Sequence, residues 1–491
     1  MIQPGLERIG LLLKNVKLPW KAIHVAGTNG KGSICAYASN LLTLRTVRVG
    51  RFTSPHLLDR WDCIAINEEP IKESTFKEVE KRFLQLNEEQ NIKASEFEIL
   101  TATAFQLFND LGVDIGVVEV GMGGKLDATN ILNNQAVSVI SKISYDHQNF
   151  LGNTLEEIVT HKAGILRPGV PYVVNPRNEW HIQIYIDDIA KEVGAGPRID
   201  LDSEDLRVNL YRTKIWNKNT HKLVGFQKDN AVLAYVAVVE ALKAIGQPSS
   251  KAWELVPGLK KKFPGRMQIV KPALIFGSYR EVLVDGAHNE DAAMILAQYV
   301  NQKLRPGNRK PHSRPVTWLL AMSDGRDARK FLSHLLRSRD NVVTVEFGPV
   351  DGMPWVKPMD SKDLLRTVHD IHPDMTGFCN GSDVLRALFT AKHLAELTDS
   401  QVVVTGSLYL IADVLRIHKH QNGFTKLNEI NAQERHRVHN AYSAGGLQRK
   451  PRSPQKKEKT SEESERELLQ QEIEKLEREL KDVEKEEGSI P

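Results

Sequence analysis

Apolar residues along this chain cluster in short runs, each about the length of one strand. "AIHVAG" (22–27), "DIGVVEVG" (114–121) and "AVSVISKIS" (136–144) are the first three. Strands apolar on both sides predict a parallel sheet covered by helices on both faces. "GSICAYASNLLTL" (32–44) reads as the helix that follows the first strand. In such sheets ligands collect at the carboxyl ends of the strands.

After "KKFPGRMQIV" (261–270) the pattern restarts. "EVLVDGAHN" (281–289), "VTWLLAMSDGRD" (316–327), "NVVTVEFGPV" (341–350) and "QVVVTGSLYL" (401–410) each read as a strand entering a polar loop. The expectation is therefore two α/β domains, residues 1–262 and a smaller 263–417, with the joint near Phe263–Arg266. Residues 418–459 contain the basic "GGLQRKPRSPQKKEK" and predict a flexible linker. Residues 460–491 predict a charged helical tail. Thr460 and Glu463 have capping-box spacing, and Leu469, Ile473, Leu476, Leu480 and Val483 recur by four and three. This stretch falls short of the three to four heptads that specify a coiled coil, so a solvated helix and a short self-association element both stay open.

Composition narrows the class. With 491 residues, 41% hydrophobic and 26% charged, the chain has the make-up of a soluble globular protein. A formal charge of +4 argues for no nucleic-acid partner. No run of about 18 apolar residues predicts a membrane span. "MIQPGLERIG" has neither a secretory apolar core nor a transit-peptide pattern, which favours the cytoplasm with mitochondria as the alternative. Cys35, Cys63 and Cys379 lie far apart and fit reduced thiols rather than a disulfide framework or zinc site.

The chemistry begins at "HVAGTNGKGS" (24–33), a strand running into three glycines around Lys31. Glycines let backbone N–H groups converge on an anion, the lysine adds charge, and the next helix presents its positive end. The spacing is shorter than a standard Walker A. Glu119 ends another strand, and Asp146 and His147 follow the next in "YDHQNFLG". A carboxylate and an imidazole beside phosphates suit Mg²⁺, though each alone is equally at home in an ion pair or cap. Ser54 in "FTSPHL" supplies a nearby hydroxyl, or simply a Ser-Pro turn. Asp285 at a strand end suits ribose hydroxyls, and Arg266 at the joint suits phosphates, while both serve equally as ordinary salt-bridge residues. Lys162 has no special role on spacing alone.

Six spaced motifs, "HVAGTNGKGS", "FTSPHL", "EVGMGGKLDATN", "DHQNFLG" with "HKAGI", "FPGRMQ" and "DGAHN", occur in the order seen in one family. Over residues 1–417 the chain resembles the folylpolyglutamate synthase/dihydrofolate synthase branch of the Mur ligase superfamily. The resemblance implies a P-loop-type ATPase domain followed by a Rossmann-like α/β domain. It implies an ATP-dependent ligase that joins a pterin-linked carboxylate to the amine of L-glutamate through an acyl phosphate. The short phosphate loop is that family's form of Walker A.

Carried over by motif, Gly30, Lys31, Gly32 and Ser33 hold the ATP phosphates, Asn230 contacts adenine, Arg266 a phosphate and Asp285 the ribose. Ser54, Glu119 and His147 match the Mg²⁺ positions, with a monovalent cation such as K⁺ as a further expectation. Lys162 matches a lysine that is carbamylated in relatives. His288 and Ser407 match positions near the incoming glutamate, so Lys31, Lys162 and His288 form the expected catalytic set. Ser95, Phe97, Leu126, Asp127 and Ala128 match the acceptor pocket, and "LDATN" favours dihydropteroate as acceptor. Extension of folate glutamate tails is the alternative. A non-catalytic nucleotide-binding assembly protein acting through its tail is the reading of another class. Lys125, His161, Phe226, Phe263 and Glu290 stand where the family usually has Arg, Glu, His, Trp and Pro. The expected partners are small molecules only, with no nucleic acid or membrane, and the protein is expected to be a monomer unless the tail self-associates.

Overall fold

The runs of Val, Ile and Ala form two sheets, each covered on both sides. The computed structural model describes residues 5–248, 251–260, 263–276, 281–306, 314–420 and 427–444. The first sheet contains β1 (Lys21–Ala26), β2 (Val49–Phe52), β3 (Ile64–Ile66), β4 (Glu69–Pro70), β5 (Ile115–Glu119), β6 (Gln135–Ile140) and β7 (Tyr172–Val174). Their order is β4-β3-β2-β5-β1-β6-β7. The five strands from β2 to β7 in that order are parallel, and β3 and β4 add an antiparallel edge.

The second sheet contains β8 (Gln268–Val270), β9 (Val282–Val284), β10 (Val316–Leu320), β11 (Asn341–Thr344), β12 (Thr376–Cys379) and β13 (Gln401–Thr405). Its order is β12-β11-β10-β13-β9-β8, parallel except for β8. Expected strands reappear as β1, β5, β6, β9, β10, β11 and β13. The other strands, β2, β3, β4, β7, β8 and β12, are additions of two to four residues, too brief to show a period of their own.

Residues alternate across β1. Ile23 and Val25 face helices Lys31–Leu42 and Gly225–Ala244 in one core layer. Trp20, just before the strand, and Ala22 pack in the opposite layer beneath helix Glu96–Asp110. Trp20 meets Phe105 and Phe108 edge-on there, with centroids 5.4 Å apart in both pairs. This places two helices behind the phosphate loop and a different helix under the opposite face.

In the second sheet, Arg305 donates two 2.7 Å hydrogen bonds to Asp340, and both side chains are buried. Trp318 Nε1 and the Val316 N–H also donate to that carboxylate, at 2.9 Å each. A buried ion pair survives when its remaining lone pairs are satisfied in this way.

The linker expected over 418–459 is corrected by the structure over its described residues, 418–420 and 427–444. Helix Leu408–His420 runs past its start, and Leu427–Ala444 forms a further helix. Val438 is fully buried in the core of the second sheet. Glu434, 1% exposed, accepts hydrogen bonds from Thr390 at 2.9 Å, Arg386 at 3.2 Å and Arg437 at 2.9 Å. Tertiary burial and paired charge therefore hold a helix whose composition reads as polar. The expected tail helix and its heptads lie outside the described residues. Among the described residues no helix is long and apolar enough to cross a membrane.

Candidate active site

At the end of β1 the backbone turns sharply. Gly27 has φ +139° and Gly30 φ +96°, values that favour glycine, and a Cβ on Gly27 would run into Ser141 Oγ. The Thr28 and Asn29 N–H groups donate to the Lys142 carbonyl at 2.8 and 3.1 Å, which anchors the loop to the segment after β6. Helix Lys31–Leu42 starts at Lys31 itself, whose Nζ donates to the Thr28 carbonyl at 3.2 Å. Gly30, Lys31, Gly32 and Ser33 thus form the glycine-rich helix N-terminus expected of an anion cradle.

Three expected groups gather around it. Glu119 ends β5, paired with Val25 of β1, and its Oε2 accepts from the Ser54 N–H at 3.1 Å. A Cβ on Gly32 would lie 3.4 and 3.6 Å from the two Glu119 oxygens. Burial raises the Glu119 pKa against the pull of Lys31, the Ser54 N–H and Arg266. Asn230 faces the loop too, with Oδ1 2.8 Å from a Cβ built on Gly30.

Lys162 closes the loop from beneath. It is 2% exposed and donates from Nζ to the Gly27 carbonyl at 2.8 Å. Burial, reinforced by Lys31, lowers its pKa to about 7. A lysine that spacing left without a role therefore has a largely desolvated amine under the cradle.

His147 adopts φ +52° after Asp146. Burial lowers its pKa to about 4, aided by Arg326, Lys162 and Lys31 and opposed by Asp146. Arg326, in the loop after β10, donates to Asp146 Oδ1, and His288 Nε2 lies 3.9 Å from Asp146 Oδ2. Burial opposes charge on Asp146, yet His147, His288 and Arg326 together hold its carboxyl well below the usual range. Arg326 is the principal group that reading the sequence missed. Its position in a strand-end loop was the available signal, but the pairing spans 180 residues.

His288 donates from Nδ1 to the Gly286 carbonyl at 2.8 Å, and burial lowers its pKa to about 4. Asn289 and Asn29 exchange amide hydrogen bonds of 3.1 and 3.4 Å. Ser144 Oγ donates to Asp291 Oδ2. The second sheet's β9 loop is therefore fastened to the phosphate loop. Asp285 accepts from Met267 N at 2.8 Å and Ala287 N at 2.9 Å, beside Arg266; burial raises its pKa. Phe263, at the joint, lies 3.3 Å from a Cβ built on Gly32 and carries the Arg51 guanidinium 5.6 Å from its ring centroid.

The expected acceptor residues divide into two groups. Phe97 stacks on Phe52 with centroids 6.1 Å apart and covers Gly121 at the end of the β5 strand. Leu126 is exposed and Ala128 buried. Ser95, by contrast, caps helix Glu96–Asp110 by accepting from the Glu98 N–H at 3.3 Å. Asp127 is occupied by its own loop: Oδ2 accepts from Met122 N at 2.8 Å, and Oδ1 from Thr129 N at 3.0 Å. Both are thus engaged structurally. Ser407 is buried and accepts from Tyr409 N at 3.2 Å.

The donor set suits a hard divalent ion. Glu119 is buried with one oxygen committed to a single N–H, beside the phosphate-loop glycines. Among the described residues, no three His, Cys, Asp or Glu side chains form a ready cage. One or two protein ligands completed by water and phosphate oxygens is the arrangement Mg²⁺ favours. Chemically, the site can neutralise a polyphosphate from Lys31 and the loop amides while presenting a lysine amine whose proton burial makes easier to lose.

Comparison with known proteins shows what the chain is similar to. Residues 269–417 match the family described as dihydrofolate synthetase, C-terminal domain. A probable dihydrofolate synthetase of Schizosaccharomyces pombe is 37% identical, over 85% of this chain and 99% of that protein. The structure of E. coli FolC in complex with DHPP and ADP has TM-score 0.67 at 26% identity, over 86% of this chain and 94% of that one. A bifunctional folylpolyglutamate synthase/dihydrofolate synthase from Yersinia pestis, complexed with AMPPNP and Mn, has TM-score 0.64 at 27% identity, over 84% and 93%. With its phosphate loop, buried Glu119 and two fastened sheets, the chain belongs to the dihydrofolate synthetase/folylpolyglutamate synthase family of ATP-dependent ligases.

Proposed function

We propose that the protein joins L-glutamate to 7,8-dihydropteroate, forming dihydrofolate at the expense of ATP. The observation that carries this reading is the loop after β5, where Asp127 of "LDATN" ties back to Met122 and Phe97 covers Gly121, at the same sheet edge as the phosphate cradle. The relationship to a fungal dihydrofolate synthetase and to a FolC that binds DHPP supports the choice of acceptor.

In this reading Gly30, Lys31, Gly32 and Ser33 hold the triphosphate, Asn230 the adenine side, Arg266 a phosphate and Asp285 the ribose side. Ser54, Glu119 and His147 would hold Mg²⁺, which screens the triphosphate charge when bound. The acceptor carboxylate attacks the γ-phosphorus, the bond from that phosphorus to the β,γ-bridging oxygen breaks and ADP leaves, while Lys31 with the loop amides stabilises charge on the transferring group. The glutamate amine then attacks the acyl phosphate carbonyl and phosphate leaves. His288 and Ser407 lie on the second domain, from which glutamate enters. Lys162 is the carbamylation candidate, because only a neutral amine combines with CO₂ and burial holds it near neutrality at physiological pH. We take residues 1–262 and 263–417 as the two working domains of a monomer. Buried free thiols at Cys35 and Cys63 suit a reducing compartment such as the cytoplasm.

The test supplies purified full-length protein with MgATP, L-glutamate and either dihydropteroate or tetrahydrofolate. Dihydrofolate formation is expected, and Lys31→Ala should lower kcat on the order of 10²–10³-fold with the melting temperature unchanged. Turnover of tetrahydrofolate alone would replace this reading with tail extension.

A further inference from the structure

β1 ends in the phosphate loop, but its opposite face carries a polar residue where the pattern calls for an apolar one. His24 is fully buried between Ala22 and Ala26. Its two ring nitrogens are both used. Gln135 Nε2 donates to Nδ1 at 2.7 Å, so Nε2 carries the proton and donates to Thr129 Oγ1 at 2.9 Å. Thr129 Oγ1 donates in turn to Asp127 Oδ1 at 2.5 Å. Asp127 then binds the Met122 and Thr129 N–H groups, tying together the two ends of the loop that runs from Gly121 to Asn130. Asn130 continues the network, donating to the Lys125 and Gly164 carbonyls at 3.0 Å each. Burial lowers the His24 pKa to about 3, so a neutral ring is the stable form.

An apolar side chain at position 24 would fill this space at no desolvation cost. A buried histidine with both nitrogens satisfied is the more demanding choice, and its chain of donors ends on the acceptor loop. We propose that His24 is a positioning residue for the acceptor: through Thr129 and Asp127 it sets the conformation of loop 121–130, and so the affinity for the pterin-bearing carboxylate, without touching it. The proposal rests on the acceptor assignment above for its kinetic consequence, but its structural consequence is independent of that assignment.

The full-length chain is compared with H24Q, which keeps an N–H able to reach Thr129, and with H24L and T129V, which break the chain at similar volume. Expected in H24L and T129V is a rise of about tenfold in KM for the pterin acceptor, with KM for ATP within twofold. H24Q should stay within threefold, and the H24L/T129V pair should be no worse than the poorer single variant. Hydrogen exchange read by mass spectrometry on residues 121–131 should quicken at least tenfold in H24L and T129V. Residues 31–42 should be unchanged. Equal rises in both KM values, an H24Q as impaired as H24L, or unaltered exchange in loop 121–131 would overturn the proposal. So would failure of the near-isosteric T129V to fold, since a positioning role leaves the fold standing. Absence of turnover with either acceptor by the unaltered chain would instead count against the functional reading, while the exchange measurement still decides the role of His24.

Discussion

At Lys162, burial and the Lys31 ammonium act in the same direction: both discourage a proton on Nζ and bring its pKa to about 7. His147 and His288, lowered to about 4, stay neutral over the same range. We therefore expect kcat/KM for the wild-type protein to rise with pH around a midpoint near 7, as the amine loses its proton. The rise should disappear in Lys162→Met, together with most of the activity. A pH–rate profile measured from 6 to 8.5 checks this, and a flat wild-type profile contradicts it. The same residue shows what a sequence conceals. "HKAGI" places a lysine at a helix end, where dipole pairing is the ordinary reading, and only the fold brings Gly27 to its amine. Gly30, Lys31 and Glu119 were legible because strand, loop and helix are contiguous. The Asp146–Arg326 pair and the His24–Thr129 bond join residues 180 and 105 positions apart, which no local pattern encodes.

Among elements, the helix Leu427–Ala444 departs furthest from expectation. Its exposed composition hides two residues, Val438 and Glu434, that sink into the second domain. Deleting residues 427–491 removes Val438, uncovers the second-sheet core that it packs against, and leaves Arg386 and Thr390 without the Glu434 carboxylate. Losing the burial of one such side chain costs about 1.5–3 kcal/mol. The melting temperature should fall by several degrees, whereas a chain ending at residue 444 should keep wild-type stability and turnover. Differential scanning calorimetry with the acceptor assay on both truncations checks this; equal behaviour of the two would remove the helix from the fold's support. Strands were the most legible elements because their apolar runs are buried on both faces. This helix was the least legible because only Val438 and Glu434 are buried, with Leu427 and Ile430 half-buried against the same core.

Across the whole molecule, six of the described histidines, His24, His56, His147, His161, His288 and His393, share one bias, a pKa lowered chiefly by burial. His24, His147 and His288 have folded pKa values lowered to about 3, 4 and 4. Below their ordinary value the unfolded chain takes up protons that the folded one refuses. The histidine contribution to stability is therefore complete above about pH 6.5 and drains away as pH falls toward 4. Asp146, with its pKa depressed, adds a further loss once pH passes below the ordinary carboxylate range. Urea midpoints measured between pH 7 and 4 should decline steadily, with a shallower slope in H24Q; a midpoint constant down to pH 5 would contradict the assignment.

One strand, β1, supports the nucleotide cradle from its tip and, by way of His24, the acceptor loop from its flank. If nucleotide and acceptor bind as proposed, two anions that repel one another are mounted on a common rigid beam, and their separation is built in when the chain folds. Under the proposed assignment the second domain brings Arg266 and Asp285 to the nucleotide as well as His288 and Ser407 to glutamate, so holding it away from the first sheet should slow acid activation and glutamate capture together.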